Sequence, residues 1–254
     1  MDILNAVIFG IVEGITEFLP VSSTGHLVLT ARILGMSQTN FLKSFEIVIQ
    51  FGAIMSVVFL YWKQLIVNFE VLKRIIMAFI PTAILGFVFY KIIKKFLLGN
   101  NEVVLWSLFL GGIFLIVFEL LHREKEEVIE EISRISYKNS VLIGIFQSIA
   151  MIPGVSRSAA TIIGGLALGL RRKTIVEFSF LLAIPTMLAA TCLDLIKNTS
   201  TFSSDQFIFL LIGFLASFIM ALIGIKFLLH FIRNHNFIIF GIYRIVLVSL
   251  FWLI

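Results

Sequence analysis

Charged side chains are scarce in this sequence. Asp, Glu, Lys and Arg make up 14% of its 254 residues, whereas hydrophobic residues make up 59% and include 27 phenylalanines. The mean hydropathy is +1.07. So few polar groups cannot cover the water-facing surface of a domain of this size, which excludes a soluble globular protein. The composition therefore predicts an integral membrane protein.

Cysteine is almost absent as well. The single Cys192 lies in an apolar run, which excludes an intrachain disulfide. The net charge of +5 is modest and indicates loop charges that set membrane topology, rather than a surface for nucleic acid. The N-terminus has neither a basic region nor a small-residue cleavage site, so a removable signal peptide is not expected.

The polar residues that are present concentrate in two stretches. The first runs from Glu13 to His26 and reads EGITEFLPVSSTGH. The second runs from Gln147 to Thr161 and contains the similar segment PGVSRSAAT. An ionisable group at bilayer depth is costly unless it is paired or hydrated. The two stretches are therefore the candidate functional site, and the rest of the chain is its scaffold.

Both stretches interrupt a helix. The apolar segment 3–19 is broken at Leu19-Pro20, and a second segment, 24–35, follows with Ser22, Ser23 or Thr24 as candidates for its N-cap. Residues 140–152 and 156–170 repeat the pattern around Pro153-Gly154. Each piece is shorter than the roughly 20 residues of a membrane span, which predicts two re-entrant hairpins, 3–35 and 140–170.

The remaining apolar segments predict an all-α polytopic protein with six transmembrane helices. They are 44–62, 75–90 and 103–121 in a first repeat, 1–121, and 175–194, 206–230 and 237–253 in a second repeat, 139–254. A charged cytoplasmic linker, 122–138, is predicted to be solvated and to join them. At an offset of 134 residues, Gly10, Ile11, Ile15, Val21 and Ser22 match Gly144, Ile145, Ile149, Val155 and Ser156, Glu13 aligns with Gln147, and Thr24 with Ser158; at 133, Phe45 matches Phe178. Three spans per half predict an inverted-topology repeat.

Lysine and arginine predict the orientation. On one side of the predicted spans lie eleven of them: Lys63, Lys73, Arg74, Arg123, Lys125, Arg134, Lys138, Arg171, Arg172, Lys173 and Arg233. On the other lie six: Arg32, Lys43, Lys91, Lys94, Lys95 and Lys197. The positive-inside rule places the first set in the cytoplasm. Both termini and the mouth of the first hairpin then face outward.

The two acids of the first stretch suggest cation or proton chemistry. Glu13 and Glu17 are four residues apart and share one helix face, where two carboxylates repel unless a proton or cation intervenes. A polar face that lines a water pocket is the simpler alternative. Glu46 and Gln50, also four apart, are candidates for supporting this pocket from behind. Tyr243 and Arg244 have no assigned role and suggest a structural pair or a lipid-head contact.

The serines and the arginine suggest phosphate binding. Ser22, Ser23 and Thr24 lie at one helix start, and Ser156, Arg157 and Ser158 lie at the equivalent start in the second half. Helix N-termini attract anions, and the guanidinium fork fits phosphate oxygens. The alternatives are that a serine only caps its helix and that Arg157 only pairs with an acid.

His26 follows the first serines and is suited to proton transfer near neutral pH. With Ser22 or Ser23 it would form a nucleophile–base pair, although a core histidine with a satisfied hydrogen bond is the alternative.

These two motifs, together with FEIVIQ at 45–50, resemble the bacterial undecaprenyl-diphosphatases of the bacitracin-resistance type over the whole chain. The resemblance implies hydrolysis of undecaprenyl diphosphate to undecaprenyl phosphate and inorganic phosphate, which recycles the lipid carrier for peptidoglycan and confers resistance to bacitracin, a competitor for the substrate. It also implies a divalent cation, Mg²⁺ or Ca²⁺, and a site on the outer side of the plasma membrane. A homo-oligomer is compatible with the sequence.

The roles implied for the motif residues fall into three groups. Catalytic roles are implied for Glu17, Ser23, His26 and Arg157. Phosphate contacts are implied for Ser22, Thr24, Ser156, Arg157 and Ser158, and the cation would bind at Glu13 and Glu17.

Two other functions are open at this point. A transporter or flippase of a lipid phosphate or small anion would share inverted repeats and helix ends near the midplane. The unrelated lipid-phosphate phosphatases use a Ser-Gly-His motif, but Thr24 interrupts that motif here, and the other three histidines lie away from both stretches.

Overall fold

The computed structural model describes residues 1–37, 39–92, 100–123, 128–198 and 204–253. The secondary structure of these parts is α-helical, apart from two short 3₁₀ turns and one isolated β-bridge between Ile129 and Leu170, and turns and loops connect the helices. The helices are α1 (Ile3–Thr16), α2 (Ser23–Ile33), α3 (Asn40–Val67), α4 (Phe69–Ile92), α5 (Asn101–Leu121), α6 (Tyr137–Ser148), α7 (Arg157–Ala167), α8 (Arg172–Asn198), α9 (Ser204–Phe231) and α10 (Ile238–Leu253). The predicted all-α class is confirmed.

Five helices are long and apolar enough to cross a membrane. The candidate spans are Asn40–Val67, Phe69–Phe89, Asn101–Leu121, Arg172–Cys192 and Gln206–Phe231. Each extends beyond the predicted segment at one end or both, because polar end residues continue a helix that hydropathy alone truncates. α10 is apolar but has only 16 residues. The chain is therefore a multi-pass membrane protein.

The two predicted breaks are present. α1 and α2 are separated by residues 17–22, and α6 and α7 by residues 149–156, which begin with a 3₁₀ turn, Ile149–Met151. The helical pieces have 14, 11, 12 and 11 residues. At about 1.5 Å per residue, none crosses the roughly 30 Å hydrocarbon core by itself.

The two halves interlock rather than pack as separate units. α1 packs chiefly against α9 of the second half, and its counterpart α6 packs chiefly against α4 of the first half. Gly10 on α1 and Gly144 on α6, which the repeat aligns, are the points of close approach. A Cβ at Gly10 would meet the Gly213 carbonyl, and one at Gly144 would meet the Ala78 carbonyl. Small residues thus allow both helix pairs to approach closely.

The linker is more ordered than its charge suggests. In its described part, Ile132 and Ile135 are buried in the main core, although residues 122–138 were predicted to be solvated. Arg74 Nε donates a hydrogen bond to the Ile135 carbonyl at 2.6 Å. Burial of these two apolar side chains offsets part of the conformational entropy that is lost when the run is ordered. Residues 124–127 lie outside the described part.

Candidate functional site

The first break presents the N-terminus of α2. Ser22 is the N-cap residue, and its Oγ accepts a hydrogen bond from Gly25 N at 3.4 Å. Its φ of 70° is the only positive value at a non-glycine residue in the described chain. A side chain in this region costs of order 1–3 kcal/mol and persists only where the surroundings enforce it. No feature of the sequence indicates this strain.

The second break presents the N-terminus of α7. Ser156 is the N-cap residue, and its Oγ accepts from Ala159 N at 3.2 Å and contacts Ser158 Oγ at 2.9 Å. Ser158 is fully buried and donates to the Leu19 carbonyl of the first break at 2.8 Å. The start of α7 is therefore joined directly to the first break.

Ser23, Glu17 and Arg157 form one network between the breaks. Ser23 Oγ donates to Glu17 Oε2 at 2.5 Å, and Arg157 Nη2 donates to Glu17 Oε1 at 3.1 Å. The other terminal nitrogen of Arg157 donates to the Ser179 carbonyl at 2.9 Å. Arg157 Nε has no hydrogen-bond partner within the described residues. The arginine is therefore held in place by two of its five N–H donors, which leaves the others for a ligand.

This network changes the expected partner of the serine. His26 was a candidate base for Ser22 or Ser23, but its Nδ1 contacts the Ser22 carbonyl at 2.8 Å and its Nε2 contacts Tyr243 Oη at 2.7 Å. Both ring nitrogens are engaged away from the Ser23 hydroxyl. A helix places His26 three residues beyond Ser23, but packing against α10 decides where its ring points. In this structure the carboxylate of Glu17 accepts the hydrogen bond from the Ser23 hydroxyl instead.

Glu13 lies behind this network. It is fully buried, and neither of its carboxylate oxygens has a hydrogen-bond partner in the described parts of the chain. Glu17 and Glu46 are both near enough to interact with it electrostatically. A buried carboxylate without partners is costly, which marks a place for a cation or proton. No group of three His, Cys, Asp or Glu residues suited to a metal occurs among the described residues.

A cavity of about 250 Å³ opens between the two hairpins. Seven predicted residues line it: Glu17, Ser22, Ser23 and Thr24 from the first hairpin, Ser156 and Arg157 from the second, and Gln50 from α3. Four do not line it: Glu13, His26, Glu46 and Ser158. The cavity is large enough for a diphosphate group, and its lining combines hydroxyls, one guanidinium and two helix N-termini. These are groups that bind phosphate.

The opposite wall of the cavity carries three polar residues that received no role from the sequence. Gln147 Nε2 donates to Thr82 Oγ1 at 2.9 Å and to Thr186 Oγ1 at 3.1 Å. The two threonines directly follow Pro81 and Pro185, the prolines within α4 and α8. A proline inside a membrane helix frees a carbonyl that needs a polar partner. The two Pro-Thr pairs are the sequence pattern from which this wall could have been predicted.

The whole chain matches one protein family. The family model described as "Bacitracin resistance protein BacA" matches residues 6–250. An undecaprenyl-diphosphatase of Aquifex aeolicus is 57% identical over 96% of this chain and 94% of its own length. Those of Sulfurihydrogenibium sp. and Persephonella marina are 55% and 53% identical, each over 100% of this chain and 99% of the relative. The resemblance carried by the two motifs is thus confirmed, and the chain belongs to the BacA bacitracin resistance family.

Proposed function

We propose that this protein hydrolyses undecaprenyl diphosphate to undecaprenyl phosphate and inorganic phosphate. The relatives that are named for this activity match this chain along almost their whole length. The observation that carries the proposal is the buried network of Ser23, Glu17 and Arg157 at the cavity between two helix N-termini. It combines a hydroxyl, a proton acceptor and a phosphate-binding cation, which are the parts that phosphoryl transfer needs.

Binding of the terminal phosphate is assigned to the second hairpin and the serine segment of the first. Arg157 supplies the guanidinium N–H donors that Glu17 and Ser179 do not use, and the N-termini of α2 and α7 contribute backbone N–H groups near Ser22, Thr24, Ser156 and Ser158. Arg157 keeps its orientation because Glu17 and the Ser179 carbonyl hold its terminal nitrogens. Positive groups held in advance stabilise the charge that develops on phosphate oxygens without having to rearrange.

The reaction begins at Ser23. Its Oγ attacks the terminal phosphorus, the bond to the bridging oxygen breaks, and undecaprenyl phosphate leaves. Glu17 takes the serine proton, since its Oε2 already accepts that hydrogen bond. Water then attacks the phosphoserine, and inorganic phosphate leaves as Ser23 regains its proton. A second version, in which Glu17 activates water directly and Ser23 only binds phosphate, uses the same contacts.

His26 supports the reaction from outside the cavity. Its Nδ1 proton is directed to the Ser22 carbonyl, so it orients the serine segment rather than receiving a proton from Ser23. Glu46 and Gln50 are also assigned as groups that support the site. Gln50 lines the cavity, and Glu46 lies near Glu13.

A divalent cation, Mg²⁺ or Ca²⁺, fits the acidic end of the site. Glu13 offers two buried oxygens without partners, and Glu17 lies beside it. Hard cations of this kind take oxygen ligands and usually share them with substrate phosphates, so a cluster of two carboxylates is sufficient. When bound, the cation would neutralise charge on the diphosphate oxygens.

The membrane arrangement completes the proposal. Six spans, α3–α5 and α8–α10, and two re-entrant hairpins, α1–α2 and α6–α7, would form an inverted repeat in the bacterial plasma membrane. Gln50 lies in the first half of α3, whereas Thr82 and Thr186 lie in the second halves of α4 and α8. With the lysine- and arginine-rich side in the cytoplasm, Gln50 would lie in the outer half of the bilayer, and Thr82 and Thr186 would lie close to its midplane. This supports a cavity that opens outward, with both termini facing outward.

Several biological roles follow from this position. Hydrolysis at the outer face returns the lipid carrier to peptidoglycan synthesis and removes the diphosphate that bacitracin sequesters. Any homo-oligomer would form through the lipid-facing surfaces, which leaves each cavity complete within one chain.

The test is phosphate release by purified protein from a long-chain isoprenyl diphosphate in detergent, with and without EDTA. We expect release that EDTA abolishes and that Arg157→Ala lowers by about a thousandfold, as loss of a transition-state charge contact does in phosphoryl transfer. Arg123→Ala, on the predicted cytoplasmic side, is the matched control and should retain full activity. Substrate binding by folded wild-type protein without any release would favour the transporter instead.

A further inference from the structure

Tyr243 and Arg244 are adjacent residues in the middle of α10, and the proposed chemistry leaves both of them unused. The structure gives each a different target. Tyr243 contacts the first hairpin, whereas Arg244 contacts the second. One turn of α10 therefore contacts both of the hairpins that form the cavity.

Tyr243 extends a hydrogen-bonded chain to the strained serine. Its hydroxyl lies 2.7 Å from His26 Nε2, and the two rings stack with their centroids 5.5 Å apart. Because a carbonyl can only accept, the 2.8 Å contact to the Ser22 carbonyl requires a proton on His26 Nδ1. In the neutral ring Nε2 then accepts from Tyr243. The phenol thus selects the tautomer that holds Ser22, the residue before Ser23.

Arg244 fixes the other break. It is 1% exposed, and no carboxylate within the described parts of the chain pairs with it. Instead it donates to three backbone carbonyls: Leu108 at 3.1 Å, Ser107 at 3.0 Å and Gly154 at 3.1 Å. Gly154 has a φ of 92° and lies two residues before the α7 cap. A buried charge used only on carbonyls holds backbone in place, because each bond to a charged donor is strong.

We propose that Tyr243 and Arg244 are positioning residues that hold the two hairpin breaks in register across the cavity. Tyr243 acts through His26 on the Ser22–Ser23 turn, and Arg244 acts through the Gly154 carbonyl on Ser156 and Arg157. Ser23 and Arg157 then converge on the same phosphate. The inference rests on the proposed function for its kinetic consequences, but its structural consequences can be measured without turnover.

Tyr243→Phe tests the first contact, since it keeps the ring and removes the hydroxyl. In ¹⁵N NMR of histidine-labelled protein, with the His26 signals assigned by their absence in His26→Gln, we expect one Nδ1–H tautomer in the wild type and a mixture in the variant. The turnover number should fall about tenfold or more with little change in KM, as misplacement of a reacting group does. Tyr137→Phe removes a hydroxyl bonded to Glu70 at a distant site and should alter neither.

Arg244→Lys tests the second contact, because it keeps the charge but cannot reach three carbonyls. We expect binding of inorganic pyrophosphate, measured by calorimetry, to weaken about tenfold. Arg74→Lys is the control, since Arg74 also donates to a carbonyl and pairs with Glu70 away from the cavity. The double variant should lose less activity than the product of the single losses, because both contacts serve one alignment.

An unchanged His26 tautomer in Tyr243→Phe, or unchanged pyrophosphate binding in Arg244→Lys, would overturn the proposal. So would losses that merely follow a lowered melting temperature and disappear when each variant is assayed well below its own transition. If the wild type releases no phosphate, the proposed function fails, while the NMR and calorimetric results still decide the positioning role.

Discussion

The two broken hairpins have the same construction, but they differ in the residue that takes a positive φ at the break. In the second, the positive φ of 92° falls on Gly154, where it costs little. In the first, the positive φ of 70° falls on Ser22, where it costs more. Strain is thus confined to the hairpin that presents Ser23. The second hairpin is relaxed and presents Arg157.

The residues aligned at offset 134 differ in the same way. Gln147 donates through its amide nitrogen to Thr82 and Thr186, whereas its amide oxygen has no hydrogen-bond partner within the described residues. Glu13 occupies the equivalent place in the first hairpin with neither oxygen bonded within the described residues. The aligned positions therefore carry a neutral amide whose nitrogen is hydrogen-bonded in one hairpin and a buried acid without hydrogen bonds in the other. Under the proposed function, this difference suits the first hairpin to the reaction and the second to phosphate binding.

The largest expected effect distinguishes Ser23 in the first hairpin from Ser156 in the second. Ser23→Ala removes the hydroxyl that donates to Glu17, and we expect phosphate release to fall by about a thousandfold or more, as loss of a nucleophile does. Ser156→Ala, in the second hairpin, should instead lower stability by about 1 kcal/mol through loss of a cap, with most activity retained. Steady-state kinetics and thermal unfolding measure the two. Near-normal turnover in Ser23→Ala would rule out the covalent version and favour activated water.

An intermediate effect is expected when Glu13 of the first hairpin is replaced by glutamine, the residue at the aligned position 147 of the second. Glu13→Gln should raise the Mg²⁺ concentration needed for half-maximal activity by at least about tenfold, because one of two proposed carboxylate ligands is lost. Titration of EDTA-treated protein with Mg²⁺ measures this. Gln147→Glu is the reciprocal control and should leave the Mg²⁺ requirement unchanged. An unaltered requirement in Glu13→Gln would remove Glu13 from the cation site.

The smallest effect concerns the strain itself. Ser22→Gly should raise the unfolding free energy by about 1 kcal/mol, since glycine tolerates φ of 70° and loses only a few tenths as a cap. Ser156→Gly relieves no strain at φ −63° and should lower stability by about 0.5 kcal/mol. Denaturant unfolding in detergent gives both values. Equal signs for the two variants would show that Ser22 is not strained.

The sequence predicted much of this molecule, because the relevant signals are local. Scarcity of charge defines a membrane protein, and a proline within an apolar segment defines a broken helix. Polar residues that remain in such segments predict the site, and six of them line the cavity: Glu17, Ser22, Ser23, Thr24, Ser156 and Arg157. The alignment at offset 134 pairs Gly10 with Gly144, and each lies at a close approach between two helices.

Only the tertiary structure determines which of these side chains form hydrogen bonds with one another. Helical spacing shows which residues share a face, but the rotation of one helix against another depends on packing between segments that are distant in the chain. Because of this packing, Ser23 forms a hydrogen bond with Glu17 rather than with His26, and His26 forms one with Tyr243. The packing also brought Arg244 to Gly154 and assembled Thr82, Gln147 and Thr186 from three helices. The sequence by itself determined which chemical groups enter the membrane, and packing determined which of them meet.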